Sequence, residues 1–292
     1  LLAAPLIVLL RSGRAGWLIA TTVSWVALAI AVMLLLQVQS GGVISYAIGN
    51  WPPPWGIEYR VDAFNAFVLV LVSLIAAIVL PYARASIAEE VPADRHYLLY
   101  ALFILCLCGL LGMAITGDVF NIFVFLEISS LSGYVLIALG RDRRALQAAF
   151  QYLIMGTVGA TFYIIGVGLL YLMTGTLNLA DMAARLAAVG EIRPVLTALA
   201  FITVGLSLKI ALFPLHVWLP GAYSSTPTAV AAFMAGTATK VSLYVLMRFI
   251  FGIFGVRLVL PELHLLDMLM LFSAVAMITA SVVALFAKDL KR

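Results

Sequence analysis

The sequence predicts an all-α fold, a polytopic bundle of transmembrane helices, and three observations carry that prediction. Of its 292 residues, 65% are apolar and only 10% charged, with a mean hydropathy of +1.16, far from the mix of a water-soluble chain. Apolar stretches of about 20 residues, the length that crosses about 30 Å of hydrocarbon, recur from one end to the other. The short alternating strands of a closed barrel are not visible, and lipid penalises unpaired backbone, so the spans are helices.

Nine spans are expected, at 1–10 (partial), 17–38, 62–82, 97–116, 118–139, 148–173, 195–219, 228–254 and 265–287. The first has Arg11 and Arg14 behind its apolar run rather than before it, the reverse of a secretory signal, and reads as a clipped helix. Alternation of the loops sorts the basic residues. Arg11, Arg14, Arg84, Arg95, Arg141, Arg143, Arg144, Lys288, Lys291 and Arg292 fall on one side, against Arg60, Arg185, Arg193, Arg248 and Arg257 on the other. Cytoplasmic loops hold the excess of Lys and Arg, so the N-terminus is expected outside and residue 292 in the cytoplasm. This bias explains the net charge of +4 without nucleic acid, for which the sequence offers no basic stripe on a soluble face.

Several features have structural readings. Trp51-Pro52-Pro53-Pro54-Trp55 combines rigid prolines with aromatics that favour the headgroup level, and is expected to cap the helix ends. Glycines 156, 159, 166 and 168 lie in one span, where they let neighbouring helices approach. Asp118 is placed to cap the helix that follows it, and Ser224-Ser225-Thr226-Pro227 reads as a capped start with proline in the first turn. Cys106 and Cys108, two apart on one helix, cannot face each other and are packing residues. No cluster ligands or nucleotide fingerprints occur, so neither metal nor cofactor is expected.

Three ionisable residues fall inside spans: Glu127, Lys209 and Lys240. At about 1.5 Å per residue they lie roughly 13, 21 and 18 Å deep, near the middle third of the bilayer. Each costs about 2.5 to 3.5 kcal/mol to insert, so they are expected to face one another, water or a partner. An acid and a base could simply glue two helices together. With two lysines and one acid, however, one lysine lacks a counter-charge, and a lysine that is easily discharged is a candidate proton carrier. At 4 Å and an effective dielectric of 20 a unit pair interacts by about 4 kcal/mol, enough for separation of Glu127 from Lys209 to move a proton.

The stretch from Leu208 to Pro220 carries a second signal. Pro214 has no N–H to offer the carbonyl of Ile210, so a break in the helix is expected beside Lys209. Broken membrane helices recur at ion sites. His216 follows the break and stands either as a proton relay, with a side chain that titrates near neutrality, or as a satisfied polar residue.

Four stretches together carry a resemblance: Trp51 through Asp62, Gly117-Asp-Val-Phe-Asn121-Ile-Phe-Val-Phe-Leu-Glu127, Lys209 through Pro220, and Gly236-Thr-Ala-Thr-Lys240. In type and order they resemble the antiporter-like subunits shared by Mrp-type sodium/proton antiporters and respiratory complex I. The tryptophan-proline stretch and Thr174-Gly-Thr-Leu-Asn178 most resemble the D-type subunit of the Mrp antiporter. The resemblance implies a broken seventh helix and a proton pathway. In it the acid of the fifth helix, matching Glu127, tunes the lysine of the seventh, matching Lys209, and the lysine of the eighth, matching Lys240, passes protons on. His216 matches the family's Phe-Pro-Leu-His position.

Residues 1–292 are then one membrane domain, 97–254 being the first of two inverted repeats. The second repeat is largely absent, because relatives have about fourteen helices and this chain stops after nine, so it is expected to be a fragment. The implied function is proton or cation translocation within a multisubunit monovalent cation/proton antiporter, with protons and Na+ as the ions and other membrane subunits as partners. The alternative is the homologous subunit of a redox-driven pump, a membrane-bound hydrogenase or an NADH:quinone oxidoreductase. In either case no catalytic chemistry is expected in this chain, and its place is a bacterial or archaeal inner membrane. A scaffold whose buried charges only hold helices together is a third, non-transporting reading.

Overall fold

The computed structural model describes residues 1–141, 143–189, 192–255 and 265–286, and among them it is an all-helical bundle apart from one short ribbon. Lys288, Lys291, Arg292 and Arg257 lie outside the described residues. Eight described helices are long and apolar enough to cross a membrane. A short α1 (Ala3–Leu10) precedes them and takes the place of the partial first span. Arg11, in the left-handed region at φ 47°, ends α1, and the Ser12 side chain caps α2 (Gly13–Gly41) by accepting from the Ala15 N–H.

A two-stranded antiparallel ribbon, β1 (Ile44–Ala47) and β2 (Glu58–Val61), carries the tryptophan-proline loop at its tip. Trp51 and Trp55 are 68% and 86% exposed, as expected of aromatics that meet a headgroup layer. This ribbon escaped the sequence reading, because four-residue strands broken by prolines give too little alternation to register. Asp62 then caps α3 (Ala63–Glu90) through a reciprocal box with Asn65. The helix runs past Pro81 to Glu90, longer than expected. The Leu80 carbonyl beside the proline accepts the Trp17 indole N–H at 2.9 Å, which clasps α2 to α3.

The chain continues through α4 (His96–Ile115), α5 (Val119–Ala138), α6 (Arg143–Thr174) and a short α7 (Leu179–Leu186) to α8 (Ile192–Ile210). The Asp118 side chain caps α5, accepting the Asn121 N–H at 2.7 Å as the sequence predicts. A short α9 (Trp218–Ser225) leads to α10 (Thr228–Met247), which ends in a π-helical turn over Arg248–Phe254, and α11 (Leu265–Leu285) follows. The start of α10 departs from expectation. Thr226 Oγ1 donates to the Ala222 carbonyl instead of capping, and the Glu90 carboxylate of α3 accepts the Thr228 N–H at 2.8 Å.

Cross-chain contacts sort the helix ends into two sets. The start of α3 meets the end of α10 through Asp62 and Arg248, and the end of α3 meets the start of α10 through Glu90 and Thr228. Asp118, before α5, bridges to Asn178, before α7, on the side of the ribbon. Close helix approach depends on glycine where α6 crosses α8. A Cβ on Gly205 would lie 2.6 Å from the Gly159 carbonyl, and one on Gly166 would lie 2.8 Å from the Ala198 carbonyl. Gly168 departs from the expectation: nothing lies within 4 Å of its Cβ position, so it serves no such approach.

Candidate proton-translocation site

Lys209 stands at the C-terminal end of α8, and local sequence explains why the helix stops there. Ala211 adopts φ 61°, the Leu212 N–H reaches back to Ser207 at 3.0 Å, and the Ala211 N–H faces Leu208 at 3.4 Å. This is the paired 6→1 and 5→2 closure of a Schellman turn, built on alanine in a conformation more often given to glycine. The break therefore falls at Ala211, three residues before Pro214, which lies among the turns linking α8 to α9. Pro214 therefore does not make the break expected of it: the helix ends before a ring at 214 could clash with it, and proline follows the cap. Carbonyls left free at the end of α8 find a side-chain donor, the Trp218 indole N–H, which meets the Leu208 carbonyl at 3.0 Å. The last turn of a helix also places its partial negative charge beside the Lys209 cation.

The ammonium itself is enclosed, Lys209 being 5% exposed. Its Nζ donates to Ser130 Oγ at 2.7 Å and to the Tyr134 hydroxyl at 3.3 Å, both on α5. It also lies 5.7 Å from the Tyr134 ring and 5.9 Å from the Tyr152 ring, within cation–π range. Tyr134 meets Tyr152 edge-on at 4.7 Å, and Tyr152 stacks on Trp218 at 4.1 Å, so α5, α6 and α9 supply one aromatic wall. Gly156 of α6 makes the room: a Cβ there would stand 2.0 Å from the Tyr134 oxygen and 3.1 Å from Lys209 Nζ. A cavity of about 20 Å³ adjoins the amine, lined by Ser129, Ser130, Tyr152 and, from α10, Met234, Ala238 and Ser242.

Glu127 shares its face of α5 with these hydroxyls, since positions 127, 130 and 134 are spaced i, i+3, i+7. Its Oε1 is buried and has no hydrogen-bond partner. Among the described residues the ion pairs within 4.0 Å are Arg185–Asp181 and Arg248–Asp62, so Glu127 and Lys209 form no direct pair. The helix-gluing ion pair is thereby excluded for this conformation.

Lys240 does not line the Lys209 cavity. It lies on an exposed face of α10, its Nζ donating to the Ala235 carbonyl at 2.5 Å, while Met234, Ala238 and Ser242 carry the face turned to Lys209. The direction of its side chain depends on how α10 is rotated against α3 and α8, which position along the span does not give. His216 sits in the linker, half-buried, its ring stacked on Phe213 at 5.4 Å and its Nδ1 buried without a hydrogen-bond partner. Ser130, Tyr134, Tyr152, Trp218 and the role of Gly156 were missed from sequence. For Ser130 and Tyr134 the i, i+3, i+7 spacing from Glu127 was the available signal.

A bundle of long apolar helices, one of them ending at a buried lysine, defines a polytopic membrane protein. Residues 116–292 match the family model described as NADH:quinone oxidoreductase/Mrp antiporter, transmembrane, and the chain belongs to that family. It is 45% identical over 262 residues to NADH-quinone oxidoreductase subunit N of Desulforudis audaxviator, covering 90% of this chain and 52% of that protein. It is 35% identical over 224 residues to the D-type subunit of the Na(+)/H(+) antiporter of Alkalihalophilus pseudofirmus, covering 76% of this chain and 44% of that protein. Among solved structures, the archaeal membrane-bound sulfane sulfur reductase superposes with a TM-score of 0.77 at 30% identity, covering 85% of this chain and 50% of the matched one. The chain thus spans about half the length of the curated relatives it matches.

Proposed function

We propose that the chain forms part of a proton- or cation-translocating subunit of a multisubunit monovalent cation/proton antiporter, with Lys209 as the proton carrier, Glu127 as the acid that biases it and Lys240 as the group that hands protons onward. One observation supports this above the rest. The Lys209 ammonium is buried and held by neutral hydroxyls, with no carboxylate within 4.0 Å among the described residues. A structural lysine in lipid is expected to keep a permanent counter-ion, whereas hydroxyls can serve either charge state by donating or accepting. Glu127, unpaired on the same helix face, supplies a field without locking the proton in place. His216, with an unsatisfied ring nitrogen beside the helix break, is kept as a candidate relay.

The bias of basic residues supports an N-terminus outside and residue 292 on the cytoplasmic side of a bacterial or archaeal inner membrane. Residues 97–254 are taken as the first repeat unit, the other subunits of the complex as partners, and protons with Na+ as the ions moved. The test is flux in membrane vesicles holding the whole complex, for Lys209→Ala, Glu127→Gln and Lys240→Ala. Loss of flux with intact assembly supports carriage; unchanged flux in Lys209→Ala removes it.

The redox-driven alternative has its own support, the higher identity to an NADH-quinone oxidoreductase subunit N than to a D-type antiporter subunit. Co-purification with redox subunits and quinone-dependent proton pumping would favour it over antiport.

A further inference from the structure

A second cleft, of about 270 Å³, opens at the ribbon end of the bundle, away from Lys209. Its walls are aromatic: Trp55 from the tryptophan-proline loop, Phe120 from the first turn of α5 and Tyr171 from the last turn of α6, which are 86%, 46% and 50% exposed. Two opposite charges line it, Asp118, which is 8% exposed, and Arg185 of α7. Among the described residues no cation lies within 4.0 Å of Asp118, and burial pushes its carboxyl up against the lowering effect of the capping N–H groups. Arg185 is half-exposed and commits one nitrogen to the Thr174 carbonyl at 3.2 Å and another to Asp181 at 2.9 Å. Its guanidinium has five N–H donors, so some remain for a ligand.

The cleft is also pre-shaped. A Cβ on Gly56 would lie 2.3 Å from the Trp51 carbonyl, so the loop holds Trp55 in a tight turn, and Gly175, at φ 67°, turns the chain sharply after α6. Capping explains why Asp118 precedes α5; it does not explain why an aromatic cleft opens onto it.

We propose that this cleft binds the headgroup of a zwitterionic phospholipid with a primary ammonium, of the phosphatidylethanolamine type. The ammonium enters toward Asp118 between the aromatic faces, which attract cations, and the phosphate sits against Arg185. A zwitterion matches a cleft that carries one charge of each sign; a purely anionic headgroup would leave the buried carboxylate unanswered. The level is right, because the cleft lies where α5 begins and α6 ends, at the boundary that tryptophan and tyrosine favour. Exposed Phe120 and Val124, one turn apart on α5, continue from the cleft toward the hydrocarbon and give an acyl chain an apolar track.

The test uses the full complex, loaded from vesicles of equal phosphatidylethanolamine and phosphatidylglycerol, and weighs the retained lipid by native mass spectrometry. Phosphatidylethanolamine is expected to be retained over phosphatidylglycerol, and Asp118→Asn and Arg185→Gln are each expected to weaken retention roughly tenfold, the effect of one lost charged hydrogen-bond partner. Asparagine still caps a helix, so Asp118→Asn keeps its melting temperature. Trp51→Phe, outside the cleft, leaves retention unchanged. Equal retention of the two lipids, or retention indifferent to both cleft substitutions, overturns the proposal. Lipid retention does not depend on ion flux, so this result stands or falls apart from the transport reading.

Discussion

Lys209 Nζ donates to Ser130 Oγ at 2.7 Å, and Ser130 stands one helical turn from Glu127 on α5. Glu127 and Lys209 share that helix face without a direct ion pair within 4.0 Å among the described residues. Their coupling is weaker than the roughly 4 kcal/mol of a unit pair held at 4 Å, and a weaker coupling is easier to modulate by motion of either helix. Removal of one partner from a buried pair typically costs about 3 to 5 kcal/mol, because the other charge is left behind. Lys209→Ala is expected to destabilise the subunit by less than that while abolishing flux, as read by thermal melting of the purified complex beside vesicle transport.

Ser130→Ala and Tyr134→Phe each take an acceptor from the buried amine. About 1 to 3 kcal/mol of stability should be lost in each. The pH profile of transport should move in both variants, whereas Thr161→Ala, an exposed hydroxyl bonded only to its own helix, should leave the profile unchanged.

Gly156→Ala tests the chamber from the other wall. With its new methyl 2.0 Å from the Tyr134 oxygen, the variant must push that ring off its contact with Lys209. Overpacking of this kind costs about 1 to 3 kcal/mol, so a lowered melting temperature and slowed flux are expected together. Gly168→Ala, with open space at its Cβ position, should be silent in both measurements.

The cavity of about 20 Å³ beside Lys209 exceeds the roughly 10 to 15 Å³ that one water occupies, and it is lined by an amine and three serines. A high-resolution map of the complex should show a single ordered water there. Ser242→Val, which fills the space with methyl groups, should remove that density and slow transport.

Asp62 gives a pH dependence whose sign follows from its surroundings. Burial alone would raise its carboxyl, but Arg248 and the capping N–H groups outweigh this and hold it below the ordinary 3.8. A lowered acid contributes stability that is present above its unfolded value and lost as pH falls through the folded one. Melting temperature should therefore be flat near neutrality and fall below about pH 4, with a smaller acid drop in Asp62→Asn, which keeps the cap and loses the ion pair.

The parts of the fold that rest on long-range averages were readable in the sequence. The run of long apolar spans, the cap at Asp118 and the burial of Lys209 follow from hydropathy and local chemistry, and each is found. What depends on rotation and partner choice was not. That Lys240 faces outward while Ser242, two residues on, faces Lys209 is set by the packing of α10, whose apolar residues are spread around the helix without a dominant face. Capping of Thr228 by Glu90, 138 residues away, has no local signature at all. The break at Ala211 was placed at Pro214 because alanine carries no mark of a left-handed conformation, whereas proline announces its missing donor.

The outward lysine on α10 also has a meaning for assembly. If that face stands at mid-bilayer depth, acyl chains are poor company for the ammonium, and a segment packed along it, from this subunit or another, is expected to bring a polar or acidic group to the same height. A neighbour without such a group would then be rejected within the hydrocarbon, where one mismatched side chain discriminates more sharply than a contact between loops.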